Sequence, residues 1–176
     1  MFETDRLILR RWRKTDRPSV ASILGDPDVM QFSDNGVFSV QDQSAWFNDA
    51  LRAICSGPIP RMMAIVSRKD NRVLGYIGLS RDPLRVARND AEIGFRLARH
   101  AWGKGYATEA AEAVMAACET LAAFHRVVAV VDPLNTRSVD VLKKLGMRYV
   151  KDIAFPHYDH PDHLYAKVLK SGSVQK

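Results

Sequence analysis

Gly103 and Gly105 stand one residue apart, between an apolar strand-like run and an alanine-rich helical run. Positions without Cβ atoms let backbone amides come close to a bulky anion. The first N–H groups of the following helix then face it, with the positive end of the helix dipole behind them. Successive amides in such a turn form an anion-binding concavity, so a phosphate or pyrophosphate is the fitting ligand. A bare Gly-x-Gly also suits a plain strand-to-helix turn, and the motif alone leaves both readings open. The spacing G-x-x-x-x-G-K-[ST] of a P-loop is absent, and Thr108 stands where a dinucleotide-binding G-x-G-x-x-G needs its third glycine.

Glu92 lies inside the apolar strand that leads to this loop. A carboxylate placed there is a candidate general base, because desolvation raises its pKa towards a useful range. It could equally bind a neighbouring arginine or face solvent on the alternate strand face. The run His157-Tyr158-Asp159-His160-Pro161-Asp162-His163 holds metal-ligand residue types. Pro161 and flanking strands make it a hairpin loop, where neighbouring side chains diverge, so we expect a solvated loop bordering a site and no metal. Cys118 falls on the apolar face of a helix and reads as an inert buried thiol; with Cys55 it makes two cysteines, too few for a disulfide scaffold.

The elements that must carry these residues follow from periodicity. Residues 7–9 with Trp12 read as a first strand, and Thr15 or Asp16 caps a helix reaching Leu24. A loop at 25–36 precedes a second helix at 39–54, with Trp46, Phe47, Ala50, Leu51 and Ile54 at helical spacing. Gly57-Pro58 ends it. Residues 62–66 and 73–79 flank the turn Lys69-Asp70-Asn71 as a hairpin, and 91–97 is the next strand. A helix runs to about Ala122 with Ala107, Ala110, Ala111, Val114, Cys118 and Leu121 on one face. The β-branched run 127–131 is a buried central strand. Asn135 opens a last helix that stops at Gly146, and strands at 148–155 and 163–169 close the chain. His125, just before the 127–131 strand, suits a helix C-terminus. The order β-α-α-β-β-β-α-β-α-β-β implies a mixed sheet covered by helices.

The 176 residues fit one domain, which we place at 1–170 with a tail at 171–176. No apolar run reaches membrane-spanning length and no secretory signal opens the chain, so a cytoplasmic protein is expected. A net charge of +6 favours a polyanionic partner. Its sources, including Arg10, Arg11, Arg81, Arg85, Arg99, Lys104, Lys143 and Lys144, are scattered without interleaved aromatics, which gives nucleic-acid binding no support.

Trp102-Gly103-Lys104-Gly105-Tyr106-Ala107-Thr108-Glu109-Ala110 resembles the acetyl-CoA loop of the GNAT N-acetyltransferases, particularly the RimJ/RimL-like branch that acetylates ribosomal-protein N-termini. Thr4-Asp5-Arg6-Leu7-Ile8-Leu9-Arg10 is similar to that branch's opening strand, and Asp26-Pro27-Asp28-Val29 to the end of its first helix. Ala91-Glu92-Ile93-Gly94-Phe95 resembles its fourth strand, and Asn135-x-x-Ser138 with Val141-Leu142-Lys143-Lys144-Leu145-Gly146-Met147 the segment after its fifth. The resemblance implies an α/β (α+β) fold: a mixed, mostly antiparallel sheet of about seven strands, with about four helices and splayed fourth and fifth strands.

It also implies a donor site. Phe95, Arg96 and Leu97 would meet the pantetheine arm, with backbone groups of Phe95 and Leu97 bonding it like an added strand. Amides of Trp102, Gly103, Lys104, Gly105, Tyr106, Ala107 and Thr108 would hold the pyrophosphate, and Asn135 the pantetheine or acetyl end. Arg99, Lys104 and Lys143 could meet the nucleotide's phosphates. Ser138 is a candidate acid or hydrogen-bond donor to the thiol sulfur, although a hydroxyl in a first helical turn is also used locally. Many relatives place a tyrosine acid seven residues after the asparagine; that position is Leu142 here, which excludes one. The function implied is acetyl transfer from acetyl-CoA to a primary amine, on a protein N-terminus or a small molecule. A silent acyl-CoA-binding regulatory domain and, more remotely, a basic RNA- or ribosome-binding protein are the competing classes. The acceptor and a homodimer stay open; no membrane and no nucleic acid are expected as partners.

Overall fold

A computed structural model describes residues 1–53, 59, 62–80, 90–122, 124–155 and 159–169. Its strands are β1 (Phe2–Glu3), β2 (Leu7–Arg10), β3 (Met63–Ser67), β4 (Val73–Ser80), β5 (Asp90–Leu97), β6 (Arg126–Val131), β7 (Arg148–Ile153) and β8 (Asp162–Val168). The helices are α1 (Arg17–Leu24), α2 (Pro27–Met30), α3 (Val40–Arg52), α4 (Tyr106–Thr120) and α5 (Thr136–Lys144). Cys55, Gly57, Pro58, Arg81, Arg85, His157, Tyr158 and the 171–176 tail lie outside the described residues.

The strands form one eight-stranded sheet in the order β1-β2-β3-β4-β5-β6-β8-β7. Every neighbouring pair is antiparallel except β5–β6. The expected mixed, mostly antiparallel sheet is present, with eight strands in place of seven. The extra one is β1, whose two residues carry too little pattern to read as a strand. The family's fourth and fifth strands are thus β5 and β6. One extra helix, the single turn α2, begins at Asp26, whose carboxylate accepts from the Asp28 amide and caps it.

Helices cover both faces. Leu7, Leu9, Ile77, Ile93 and Val127 pack against Ala110, Ala111, Val114 and Cys118 of α4 and Val139 and Leu142 of α5. On the other face Ala64, Val66, Val73 and Tyr76 pack against Val20, Ile23, Leu24, Met30 and Phe47 from α1, α2 and α3. Leu121 is not part of the α4 core face: it follows the helix end and is 48% exposed. Asp16 precedes α1 but does not cap it. Its carboxylate takes both Arg10 guanidinium nitrogens (2.7 and 2.9 Å) and the Arg13 amide (2.7 Å). Burial pushes its pKa up, and these donors outweigh that and hold it below the usual range. Among the described residues no helix is long and apolar enough to cross a membrane.

Candidate active site

The sheet parts between β5 and β6. Their parallel pairing covers Asp90↔Arg126, Ala91↔Val127 and Glu92↔Val128 and then stops, while β5 runs on to Leu97 and β6 to Val131. Beyond Glu92, β5 is held only from the β4 side, from Leu79↔Ile93 to Gly75↔Leu97. The Ala98 amide donates to the Leu74 carbonyl at 2.8 Å. In an antiparallel ladder hydrogen-bonded pairs recur at every second residue, so Arg96, Gly94 and Glu92 bond towards β4. Phe95 and Leu97 therefore turn their N–H and C=O groups to the opposite edge, into the split.

This alternation corrects one expectation. Arg96 turns its backbone to β4, and its guanidinium donates to Tyr76 Oη (3.0 Å) and contacts Met30 Sδ (3.2 Å). It braces the α1–α3 face and stands off the split.

The glycine loop follows β5 directly, after a single 3₁₀ turn at Arg99–Ala101. Gly103 and Gly105 have φ of +72° and +78°, in the left-handed region that costs an L side chain about 1–2 kcal/mol. Gly105 immediately precedes α4, whose first internal bond is Glu109 N to Gly105 O at 3.0 Å. The amides of Gly105, Tyr106, Ala107 and Thr108 therefore have no helical carbonyl one turn behind them. Free N–H groups at a helix start, preceded by two left-handed glycines, are what an anion-binding turn requires.

Three side chains fix that loop, and two were not singled out by the sequence reading. Trp102 Nε1 donates to the Leu97 carbonyl at 2.8 Å, which ties the loop to the end of β5. Arg137 of α5 lies over the Trp102 ring, 4.6 Å from its centroid, and so bridges the mouth from the β6 side. Arg6 reaches from the chain start to donate to the Lys104 carbonyl (2.9 Å) and stacks 4.7 Å over the Tyr106 ring. It also pairs with Glu109, described below. A cationic Arg137 in the first turn of a helix runs against the dipole, and that sign conflict was the signal available in sequence. Arg6 offered no comparable local signal.

Glu92 is half-buried and occupies the last paired position of the β5–β6 seam, where the split opens. Its side of the sheet faces α3. The Asn135 side chain caps α5, Oδ1 accepting from the Ser138 amide at 3.2 Å, so these two residues meet at the helix start as the spacing suggested. Both are half-buried. Lys143 is exposed in the last turn of α5, about 10 Å of helix rise from its start. Arg99 is held elsewhere: its guanidinium pairs with Asp28 and lies 3.8 Å from Asp26 of the α2 turn. These acids engage it on the α2 side and away from the loop.

The histidine-rich hairpin does not diverge throughout. His160 Nε2 lies 3.1 Å from Asp132 Oδ1, and ligand atoms of Asp132, His160 and Asp162 all come within 4.8 Å of one another. Asp132 Oδ1 also accepts from the Leu134 amide at 2.7 Å, so the contact is built as a hydrogen-bonded corner. His163 turns instead to Asp152 (3.5 Å) and to the Tyr149 ring. Cys118 is fully buried and burial pushes its thiol up to about 12.

This geometry agrees with what the chain is similar to. Residues 6–148 match the family model described as Acetyltransferase (GNAT) domain. An uncharacterised protein of Bacillus subtilis, YkkB, is 32% identical over 152 residues, which span 85% of this chain and 86% of that protein. The crystal structure of a GNAT-family acetyltransferase from Bacillus anthracis superposes with a TM-score of 0.83 at 26% identity, covering 94% of this chain and 96% of that one. RimL, a ribosomal L7/L12 alpha-N-protein acetyltransferase solved with coenzyme A, shares the fold at a TM-score of 0.80 and 18% identity, covering 96% and 97% of the two chains. The chain belongs to the GNAT acetyltransferase family.

Proposed function

We propose that this chain is a cytoplasmic N-acetyltransferase that moves an acetyl group from acetyl-CoA to a primary amine by direct attack in a ternary complex. The observation that carries the reading is the coincidence of two features along one stretch of chain: β5 loses its β6 partner after Glu92, and the unpaired helix-start amides that follow it begin at Gly105, the N-cap of α4. The pantetheine arm would lie along Phe95 and Leu97 as a substitute strand, since amides and carbonyls turned outward at alternate residues match those of an extended chain. The Leu97 carbonyl already accepts from Trp102, which leaves its second lone pair for the donor. The pyrophosphate would rest on the amides from Gly103 to Thr108, with Lys104 and Arg137 adding charge, and Asn135 would meet the pantetheine from α5.

The chemistry assigns roles to the remaining groups. At neutral pH a lysine amine (pKa about 10.4) is almost wholly protonated, and an α-amine (about 7.7–8.0) is about 10–20% free. Glu92, at the point where the arm would end, takes the amine's proton directly or through a water. The amine lone pair attacks the thioester carbon, and the C–S bond then breaks. The departing thiolate, with a pKa near 8.5 by analogy with cysteine, needs little help; a hydrogen bond from Ser138 suffices.

The test is thiol release from acetyl-CoA across a panel of amines and peptides. Amine-dependent release supports the reading. Tight acetyl-CoA binding with no turnover on any acceptor points to a silent binding domain. Salt-sensitive RNA affinity without acetyl-CoA binding would overturn it.

A further inference from the structure

We infer a second anion site, on the face of the sheet away from α4: a cleft between α1 and the β3–β4 turn that takes the phosphate group of a small phosphorylated molecule. The cleft has a volume of about 420 Å³. Three parts of the chain line it: Arg10, Arg13 and Ser19 around the start of α1, Arg72 of the turn, and Ala98 and His100 beyond β5. That volume lies within the range of small-molecule sites. None of these residues has a part in the proposed acetyl transfer.

Folding gathers here a charge that is spread out along the chain. Residues 10–17 carry five Lys or Arg against Asp16, and residues 68–72 carry three against Asp70, a joint surplus equal to the whole net charge of +6. Outside these two stretches the charges of the chain cancel. Both stretches meet at the cleft. Walls of one sign concentrate ions of the other. Within the lining, one carboxylate meets three guanidinium groups. Arg10 holds both oxygens of that carboxylate, Asp16, at 2.7 and 2.9 Å. Arg13 gives Asp16 its backbone amide (2.7 Å) and its charge helps lower the Asp16 pKa, but among the described residues its guanidinium forms no ion pair. Arg72 stands in the same relation to Asp70, which lies in the exposed turn outside the lining. Two guanidinium groups from separate elements thus line one cleft without an ion-pair partner.

The lining identifies the ligand. Two cations match a phosphate monoester, which carries about −1.5 to −2 charge at pH 7 and three acceptor oxygens. A single carboxylate would leave one arginine unmatched. The planar guanidinium fork also pairs with phosphate in a bidentate geometry. Thr15 and Ser19 add hydroxyls at the start of α1, where the helix dipole is positive. Among the described residues, Val73 and Ala98 are the only apolar side chains of the lining, so the rest of the ligand is small and polar. No Trp, Tyr or Phe lines the cleft, which offers a nucleic-acid base no ring to stack on.

The test is a calorimetric titration of inorganic pyrophosphate into protein saturated with coenzyme A, at an ionic strength held constant with sodium chloride. The wild type should bind one equivalent. Arg13→Ala and Arg72→Ala should each weaken that binding about tenfold, while Gly105→Ala, at the donor loop, changes it less than about twofold. Acetyl-CoA affinity should be the same in both arginine variants as in the wild type. No binding by the wild type at millimolar pyrophosphate, or equal binding by the wild type and both variants, overturns the assignment. A parallel fall in acetyl-CoA affinity would place these arginines at the donor and overturn it as well. If pyrophosphate does not bind and a single-stranded RNA does, through the same two arginines, the corner is a nucleic-acid surface and the assignment falls. A wild type that binds no coenzyme A overturns the acetyltransferase reading alone; the arginine variants then decide the cleft without it.

Discussion

Arg6 and Glu109 stand 103 residues apart in sequence, yet Arg6 Nε and Nη2 each lie 2.6 Å from Glu109 Oε2. The Arg6 amide (3.0 Å) and the Thr4 hydroxyl (2.5 Å) saturate Oε1. Because Arg6 also holds the Lys104 carbonyl, the start of the chain fastens both the glycine loop and the first turn of α4. The Arg6 side chain is 49% exposed, so solvent screening limits the pair to about 1 kcal/mol. Glu109→Gln should weaken acetyl-CoA binding about fivefold by calorimetry, with a small fall in Tm. Undiminished affinity would show that the loop holds its shape without the clasp.

The same carboxylate sets a pH dependence. Burial raises the Glu109 pKa, and the Thr4 and Arg6 donors outweigh it, so the folded value lies below 4.5. Asp16 is lowered in the same way by Arg10 and Arg13. A depressed folded pKa means the unfolded chain binds protons first as pH falls. This contribution is therefore complete above the unfolded values and lost on descending through the folded ones. Thermal melts should show Tm dropping from about pH 5 to about pH 3, with a shallower slope in Glu109→Gln.

Gly105 tests the backbone logic of the loop. With φ at +78°, Gly105→Ala should cost about 1–2 kcal/mol and weaken acetyl-CoA binding about tenfold, whereas Gly105→Asn, a residue that visits this region more easily, should lose less. The order Gly, Asn, Ala in affinity is the readout. Equal losses for the two variants would assign the effect to side-chain bulk.

For the proposed base, Glu92→Gln should lower kcat/KM at neutral pH about a hundredfold and leave donor affinity nearly intact. The measurement is a pH–rate profile of both forms. Profiles of the same shape and height would remove Glu92 from the role.

Cys118 should stay unlabelled by a thiol reagent in the native protein, because burial holds its thiol at about 12. Peptide mapping after alkylation, native against denatured, reads this out directly.

What could be read beforehand was local chemistry. The loop at Gly103 and Gly105, the β-branched core of β6 and the Asn135 cap each depend on residues a few positions apart, and each stands where its pattern placed it. Phe95 and Leu97 were named through the family resemblance alone; the two-residue alternation of a strand is what sends both to one edge. Partners were not legible. Arg6, Arg137 and Arg99 are three similar cations in sequence. They diverge because Glu109, Trp102 and Asp28 come to them through the fold. β1 and α2 escaped notice for a different reason, being two and four residues long, shorter than the periods that betray a strand or a helix.

The seam between β5 and β6 also bears on stability. Three residue pairs join two half-sheets, β1 to β5 on one side and β6, β8 and β7 on the other. In the proposed complex the donor supplies the missing strand, so part of the sheet's cohesion belongs to a metabolite. Saturation at a hundred times Kd would add about 2.7 kcal/mol to folding stability. The lifetime of the folded protein would then follow the supply of its own substrate.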